Sequence, residues 1–589
     1  MKFYGALLFF LSFVPGPVNA DDWKQRFRTP FEQSDGSETA DYHAAIQFYQ
    51  DLADASDRIT IREMGTTDSG HPLHLVVISN RKTDVDRIRD DERSVLLINN
   101  AIHPGESDGV DASMAFARDV AFDSATYSAH LKQVIVAIIP LYNIGGALHR
   151  NSGTRANQNG PREYGFRGNA RNYDLNRDFI KCDTRNARSF VSIFQLLDPD
   201  LLIDTHVSNG ADYQHVMTTS HSQKDKLGLQ LGKYLDKSFE PDLFRKLQQD
   251  GFPTIPYVNS GGRPPEQGFS QFLETPRYST GYAALFQTMG FMTETHMLKP
   301  YPRRVKATRA FLERSLELLA KDGQRIQEIR RADREAYHQQ AEAAIAWEVD
   351  RDKPSRLEFH GYEATYVDSQ VTPGKRLFYD RSKPFVRSIA YYNNYRPSKK
   401  IRLPAGYLVP RGWHSVIELL KLNSVELTVV QKPAVVDAQV YRIDGVTTRP
   451  SPYEGHYLHD SVNVTATNER VQVAPGDVIV PIHQQRARYV VETLEPEAMD
   501  SLFRWNFFDT ILQRKEYFSA YVFEDSAKAL LASNNQVAAE FQAKKNKDSD
   551  FANDRNAQLK FLYERSKHYE ESHLRYPVIR LKEGSLEGL

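Results

Sequence analysis

Residues 94–110 read Ser-Val-Leu-Leu-Ile-Asn-Asn-Ala-Ile-His-Pro-Gly-Glu-Ser-Asp-Gly-Val. The unbroken apolar run Val95 to Ile98 is the pattern of a strand buried on both faces. A Pro-Gly turn follows. Beyond it Val110, Met114, Ala117 and Val120 recur at helical spacing. His103 and Glu106 therefore project from the loop between a strand and a helix. In open α/β sheets, sites are built on such loops, at the carboxyl ends of strands. An imidazole and a carboxylate three residues apart suit a borderline-soft cation such as zinc. The same spacing also serves two solvated side chains on a turn.

The pair has company. Residues 200–206, Asp-Leu-Leu-Ile-Asp-Thr-His, read as a second buried strand ending at His206. Residues 291–296, Phe-Met-Thr-Glu-Thr-His, read as a third, carrying Glu294. Upstream of both, and after the His103–Glu106 loop, lies Asn172-Tyr-Asp-Leu-Asn-Arg-Asp-Phe179. His103-x-x-Glu106, the Asn176-Arg177 pair, the strand-end His206 and the carboxylate Glu294 stand in the order of the zinc metallocarboxypeptidases. Over roughly residues 40 to 305 the chain resembles the carboxypeptidase A family.

The resemblance implies an enzyme that hydrolyses C-terminal amino acids from peptides, with one Zn2+ per chain held by His103, Glu106 and His206. Glu294 takes the position of the general base that activates water. An arginine upstream of the Asn-Arg pair stabilises the oxyanion; Arg155 is the choice and Arg150 the alternative. Asn176 and Arg177 take the position that grips the free α-carboxylate of the substrate. Asp204, two residues before His206 on the same strand face, is a candidate to hold that imidazole from behind. The family's mobile tyrosine has no counterpart at the expected spacing. Tyr278 and Tyr282 are nearby, and Arg277 is a candidate for added recognition. Two other readings keep the scaffold: a related zinc hydrolase of cell-wall peptides or N-acyl amino acids, and a non-catalytic peptide- or carbohydrate-binding protein.

The expected fold is α/β, a mostly parallel mixed central sheet with helices on both faces, because buried strands alternate with helical patterns. The strand Gln133–Pro140 belongs to that sheet. Residues 141–171 form a long loop carrying Arg150 and Arg155, and 251–282 a loop over the site. From 303 to 347 the pattern is a long charged helix or helix pair. The division that follows is a signal peptide over 1–20, a catalytic domain with its helical connector over 21–347, a small β-rich domain over 350–480, and a mainly helical region over 481–589. His456 and His459 in the later region form a pair whose spacing alone gives no ligand triplet.

With 589 residues, 40% hydrophobic and 26% charged, the chain is an ordinary globular composition of two or three domains. The formal net charge of −1 gives no ground for a nucleic acid or an anionic membrane as partner. Lys2 followed by the apolar run Phe3–Val14, the Pro-Gly-Pro break and Val18-Asn19-Ala20 fits an export signal cut after Ala20. The expectation is a secreted or periplasmic protein with no stable membrane insertion. Cys182 is the only cysteine, so no intramolecular disulfide exists. A disulfide-free exported chain of this size points to a periplasm over a eukaryotic secretory route.

Overall fold

In the computed structural model, which describes residues 22–208 and 210–585, the apolar run becomes the strand β3, Ser94–Asn99, buried along its whole length. It lies in an eight-stranded sheet with β1 (Ile59–Thr66), β2 (Pro72–Ile78), β4 (Val134–Ile139), β5 (Leu201–Ser208), β6 (Met217–His221), β7 (Ile255–Pro256) and β9 (Met289–His296), β8 (Phe269–Ser270) lying elsewhere. The order is β1-β2-β4-β3-β5-β9-β6-β7. The inner strands β4, β3, β5 and β9 run parallel, while β1, β2 and β6 join antiparallel. Parallel neighbours align their carboxyl ends, which is how residues a hundred positions apart reach one edge of the sheet.

Alternation along the strands feeds two faces. Leu96, Ile98, Val136, Ile138 and Ile203 share one core with helices α1 (Tyr42–Ala55), α2 (Asp108–Phe122) and α4 (Tyr301–Gln339). Between α2 and α4 in sequence, α3 (Arg185–Leu197) packs on β1 and β2 at the other face. Helix α2 is buried from Asp108 to Ala121, not only along its apolar stripe, because α4 crosses its outer side. The expected long helix is one continuous element of 39 residues with no proline after Pro302, but it stops at Gln339, and residues 342–347, expected to continue it, belong to a strand. At 1.5 Å per residue the helix is about 58 Å long.

Burial reaches polar groups as well. Arg304, wholly buried on α4, grips Asp108 of α2 with Nε and Nη2 at 2.9 and 3.2 Å. Asp111 of α2 accepts from the Tyr301 hydroxyl and, at 3.3 Å, from Ala40 N. Burial pushes its carboxyl up to about 7, with those hydrogen bonds opposing. The lone thiol of Cys182 is also buried, donates to Phe179 O at 3.3 Å, and is pushed far above its usual range by burial and by Asp178.

The described residues up to Ile401 form one compact unit, together with 422–424 and 485–489. It includes β10 (Glu342–Val349), β11 (Ser355–Asp368), β12 (Lys375–Tyr392) and most of β13 (Tyr395–Arg402). Residues 350–401, which composition groups with the stretch up to 480, thus fold within the first unit. The reason is that β12 pairs with β8, and Tyr213 bridges to Gly361 of β11. The second unit has a six-stranded sheet of β14 (Gly406–Val409), β15 (Thr428–Val429), β16 (Ala434–Thr448), β17 (His459–Val473), β18 (Val478–Pro481) and β19 (Ile579–Leu581). Its last strand sits between β14 and β16. Helices from Ala520 to Tyr563 enclose a separate cluster of Phe523, Phe551 and Phe561. The export signal expected over 1–20 lies outside the described residues. Among the described residues no helix is long and apolar enough to cross a membrane.

Two outcomes follow from this packing. A Cβ on Gly109 would stand 2.4 Å from Thr205 Cβ, next to His206, so Gly109→Ala is expected to cost about 1–3 kcal/mol in urea unfolding. Unchanged stability would mean that α2 is not pressed on β5 as described. An acid with a higher pKa folded than unfolded binds its proton more tightly in the native state. Asp111 therefore removes stability as pH rises from about 4 to about 7, and no more above that. The stability advantage of Asp111→Asn over wild type should widen across that window by up to about 1.4 kcal/mol per pH unit. A difference constant from pH 4 to 8 would show that Asp111 titrates normally.

Candidate metal and catalytic site

The site begins where β3 ends. Ala101 takes a left-handed φ of 56°, turning the chain so that Ile102 and His103 leave the sheet edge. The Pro104-Gly105 turn closes with Glu106 N donating to His103 O at 2.8 Å. This sets the imidazole and the carboxylate side by side, with His103 Nδ1 3.3 Å from Glu106 Oε1. From the end of β5, His206 brings its Nδ1 to 3.0 Å from Glu106 Oε2. All three residues are buried, and one donor atom from each lies within 4.8 Å of the others. Among the described residues no other His, Cys, Asp or Glu group has this property.

The donor set fits a zinc ion. Tetrahedral bonds of about 2.0 Å set ligand atoms about 3.3 Å apart, close to the two separations above. Each imidazole is also held from behind. His103 Nε2 meets Asp174 Oδ1 at 2.9 Å, and His206 Nε2 meets Asp204 Oδ2 at 3.0 Å. With Nε2–H donated to a carboxylate, Nδ1, on the side of Glu106, is the nitrogen whose lone pair would go to a bound metal ion. His103 Nδ1 is buried with no hydrogen bond of its own.

The charges reinforce one another. Burial alone would raise Glu106, but Arg155, His103 and His206 hold it well below the usual carboxylate range. Burial would lower His206, but Asp204 and Glu106 hold it well above its ordinary value. Asp174 is likewise held low against burial by His103, Arg167 and Arg177.

Glu294 lies in register with His206 on the neighbouring parallel strand, so the two side chains emerge on the same face. It is the one residue of β9 that is not fully buried. Burial pushes its carboxyl up to about 7, with the Glu106 charge adding and His206, Arg155 and Arg167 opposing.

Arg155 reaches the site, as expected for one of the two candidates. Its Nη1 donates to Glu106 Oε1 at 2.7 Å, its Nη2 to Val207 O at 3.2 Å, and its Nε to Gln158. Arg150 pairs instead with Glu163 at 3.7 Å. Asn176 is buried and accepts from Ser279 N at 3.2 Å. Arg177 lies over the Tyr278 ring at 4.5 Å, donates to Asn176 O at 2.8 Å and stands 3.8 Å from Asp174. Tyr282 is fully buried and donates to Asn423 at 2.7 Å, so it is a core residue. His459, in the second unit, is buried between Thr448 and Asp509 at 2.8 and 3.0 Å, and His456 faces Trp505 and Phe507.

Four residues were not singled out for their place here. Arg167 sits with Nη1 3.6 Å from Glu106 and Nη2 2.8 Å from Asp174, its side chain 47% exposed. Asp174 backs His103. Ser279 donates to Asp204 at 2.5 Å, tying the 251–282 segment to the second histidine. Tyr257, whose backbone N donates to Thr219 O at 2.8 Å, is pushed well above 10 by burial and by the charges of Glu294 and Glu106. Five arginines fall between 150 and 171, and nothing in their spacing ranks them. Only Asp174, next to the Asn-Arg pair, carried a usable signal.

Residues 45–199 match the model of the zinc carboxypeptidase family Peptidase_M14. Over that stretch the chain is similar to a zinc carboxypeptidase. The similarity to individual proteins runs further along the chain. The chain is 19% identical over 462 residues to carboxypeptidase 2 of Trichophyton equinum, covering 74% of this chain and 78% of the relative. Against carboxypeptidase 2 of Trichophyton rubrum the figures are 19% over 474 residues, 77% and 81%. Among solved structures, a metallo-carboxypeptidase from Burkholderia cenocepacia has 16% identity and a TM-score of 0.36, covering 49% of this chain and 70% of that one. A metallo-carboxypeptidase from Pseudomonas aeruginosa, in complex with (2-guanidinoethylmercapto)succinic acid, has 14% identity and a TM-score of 0.36, covering 48% and 69%.

The carboxylates behind the histidines give the candidate metal site a test. Asp174→Asn is expected to weaken zinc binding by about 10- to 100-fold, measured by competition with a chromogenic chelator. Unaltered affinity would mean that Asp174 does not set the His103 tautomer.

Proposed function

We propose that the domain removes C-terminal amino acids from peptides, using one zinc ion held by His103, Glu106 and His206. The observation that supports this most is the pair of imidazoles, each fixed from behind by a carboxylate and each turning Nδ1 to an oxygen of the same buried glutamate. When bound, the ion supplies Lewis acidity, making a water acidic near neutral pH and polarising a carbonyl.

The chain's own residues do the rest. Glu294, raised towards neutrality, takes a proton from the attacking water and hands it to the leaving amine. A guanidinium is needed where negative charge develops on the carbonyl oxygen. Both guanidiniums are engaged, Arg155 with Glu106, Val207 O and Gln158, and Arg167 through Nε and Nη2 with Asp174. What separates them is exposure, since Arg167 faces the same carboxylate with its side chain 47% exposed against 15% for Arg155. We therefore assign that role to Arg167 ahead of Arg155. Arg177, its plane set by Tyr278 and by the Asn176 carbonyl, is placed to grip a substrate α-carboxylate in a forked contact. Asn176 holds the Ser279 segment against it. Export of the mature chain is inferred from residues 2–20 alone.

The test is release of single C-terminal residues from a peptide mixture, read by mass spectrometry with and without a zinc chelator. Trimming should stop with chelator and resume with added zinc. Glu294→Gln should lower kcat/KM by about 10²- to 10⁴-fold with zinc content and melting temperature unchanged. Full activity of that variant would exclude Glu294 as the base. Trimming that ignores the chelator would exclude the zinc reading.

A further inference from the structure

Strands β11 and β12 continue as a two-stranded arm beyond their support in the first unit. At its base the arm is fixed to the segment that follows His206. Tyr213 bridges to Gly361, Gln214 N donates to His360 O at 2.9 Å, and Gln214 Nε2 donates to the carbonyls of Gly361 and Phe385 at 2.9 and 3.0 Å. Arg381 of β12 adds an ion pair to Asp212 at 2.6 Å. Further out, Ala364 pairs with Tyr379 and Tyr366 with Leu377, so these four side chains share one face. A hairpin without a third strand is marginal in water, yet this face is apolar and Tyr366 is 53% exposed.

Leu377 and Tyr379 face a groove of about 470 Å³, whose opposite wall is Tyr257 to Gly262 and which reaches Gly210 and Ala211. A second hollow of about 880 Å³ shares Gly210, Leu377 and Tyr379 and extends to Met297 and Leu298. The consecutive residues 376–382 border it. A run of successive residues is the signature of a strand's edge, not of one of its faces. Among the described residues, β12 meets a strand on that edge only at Tyr391 and Tyr392, through β8. Both hollows are lined by residues on the segments that leave the site: Gly210 follows His206 by four residues and Met297 follows Glu294 by three, while Tyr257, on the wall of the smaller hollow, feels the charges of Glu294 and Glu106.

A strand edge open over 376–382, beside a groove where Tyr257, Val258, Leu377 and Tyr379 supply apolar surface next to Asn259 and Ser260, suits an extended polypeptide. The edge offers backbone hydrogen bonds, and alternate side chains of the guest enter the groove. We propose that the β11–β12 arm binds the part of the substrate upstream of the scissile bond as an added strand, preferring apolar side chains over about three positions. This rests on the carboxypeptidase reading above, and it makes the preferred substrate an extended peptide and not an N-acyl amino acid.

The experiment compares kcat/KM for an N-acyl dipeptide and for hexapeptides with the same C-terminal pair, their upstream residues either leucine and phenylalanine or aspartate and serine. Wild type should favour the apolar hexapeptide over the short substrate by about tenfold or more. In the double variant Leu377→Ser/Tyr379→Ser that preference should fall towards one, while the short substrate is cleaved as before, which also reports an intact fold. An apolar hexapeptide whose upstream nitrogens are N-methylated should lose the advantage with wild type as well. Equal rates on long and short substrates, or a variant that leaves the preference intact, would overturn the role of the arm. Failure of wild type to cleave even the short substrate would instead overturn the reading of the site.

Discussion

A charge taken out of water must find a partner, or it is neutralised. The carboxyl end of the central sheet is organised by that requirement. His103, Glu106, His206, Asp174 and Asp204 lie together there almost without solvent, each touching a group of opposite character. Behind them Arg304 and Asp108 join the first turn of α4 to that of α2. Remove one member and its neighbour is left charged in a low-dielectric setting. The cluster is thus both the site and a clamp on the elements around it. Glu294 differs from Glu106 because burial outweighs its cationic neighbours. Two carboxylates close together are driven to opposite proton affinities, the arrangement that general-base chemistry needs.

The parallel core explains why so much of this was legible. A strand buried on both faces announces itself as an apolar run, and polar residues at the ends of β3, β5 and β9 had no other way to be accommodated than at an edge. Asp204 was readable because side chains two apart on a strand share a face. Arg167, Ser279 and Tyr257 were not, because they arrive on segments without periodicity. Their positions are fixed by contacts such as Ser279 to Asp204, made across 75 residues. The five loop arginines are alike in sequence and are separated only by where the folded loop sends them.

Away from the site the lesson differs. The long helix was readable because no proline follows Pro302 within it and Gly323 is its sole glycine, although a pattern on one helix cannot show that a second helix will cover its other side, as α4 does to α2. The strand character of 350–401 was plain, but alternation says nothing about which core a hairpin joins. That was settled by pairings with Tyr213 and with β8, each far away in sequence. In the second unit the strand Ile579–Leu581 completes a sheet begun at Gly406, a closure no local window can reveal.

The sole thiol, sealed beneath Phe179 with its ionisation suppressed, has a practical reach beyond the fold. The wild-type chain is in effect already a cysteine-free background for surface labelling. A cysteine installed at the tip of the arm would carry a fluorophore or spin label without competition from Cys182. The approach of a guest chain could then be followed on the molecule itself, in reducing buffer, since no cross-link holds the architecture together.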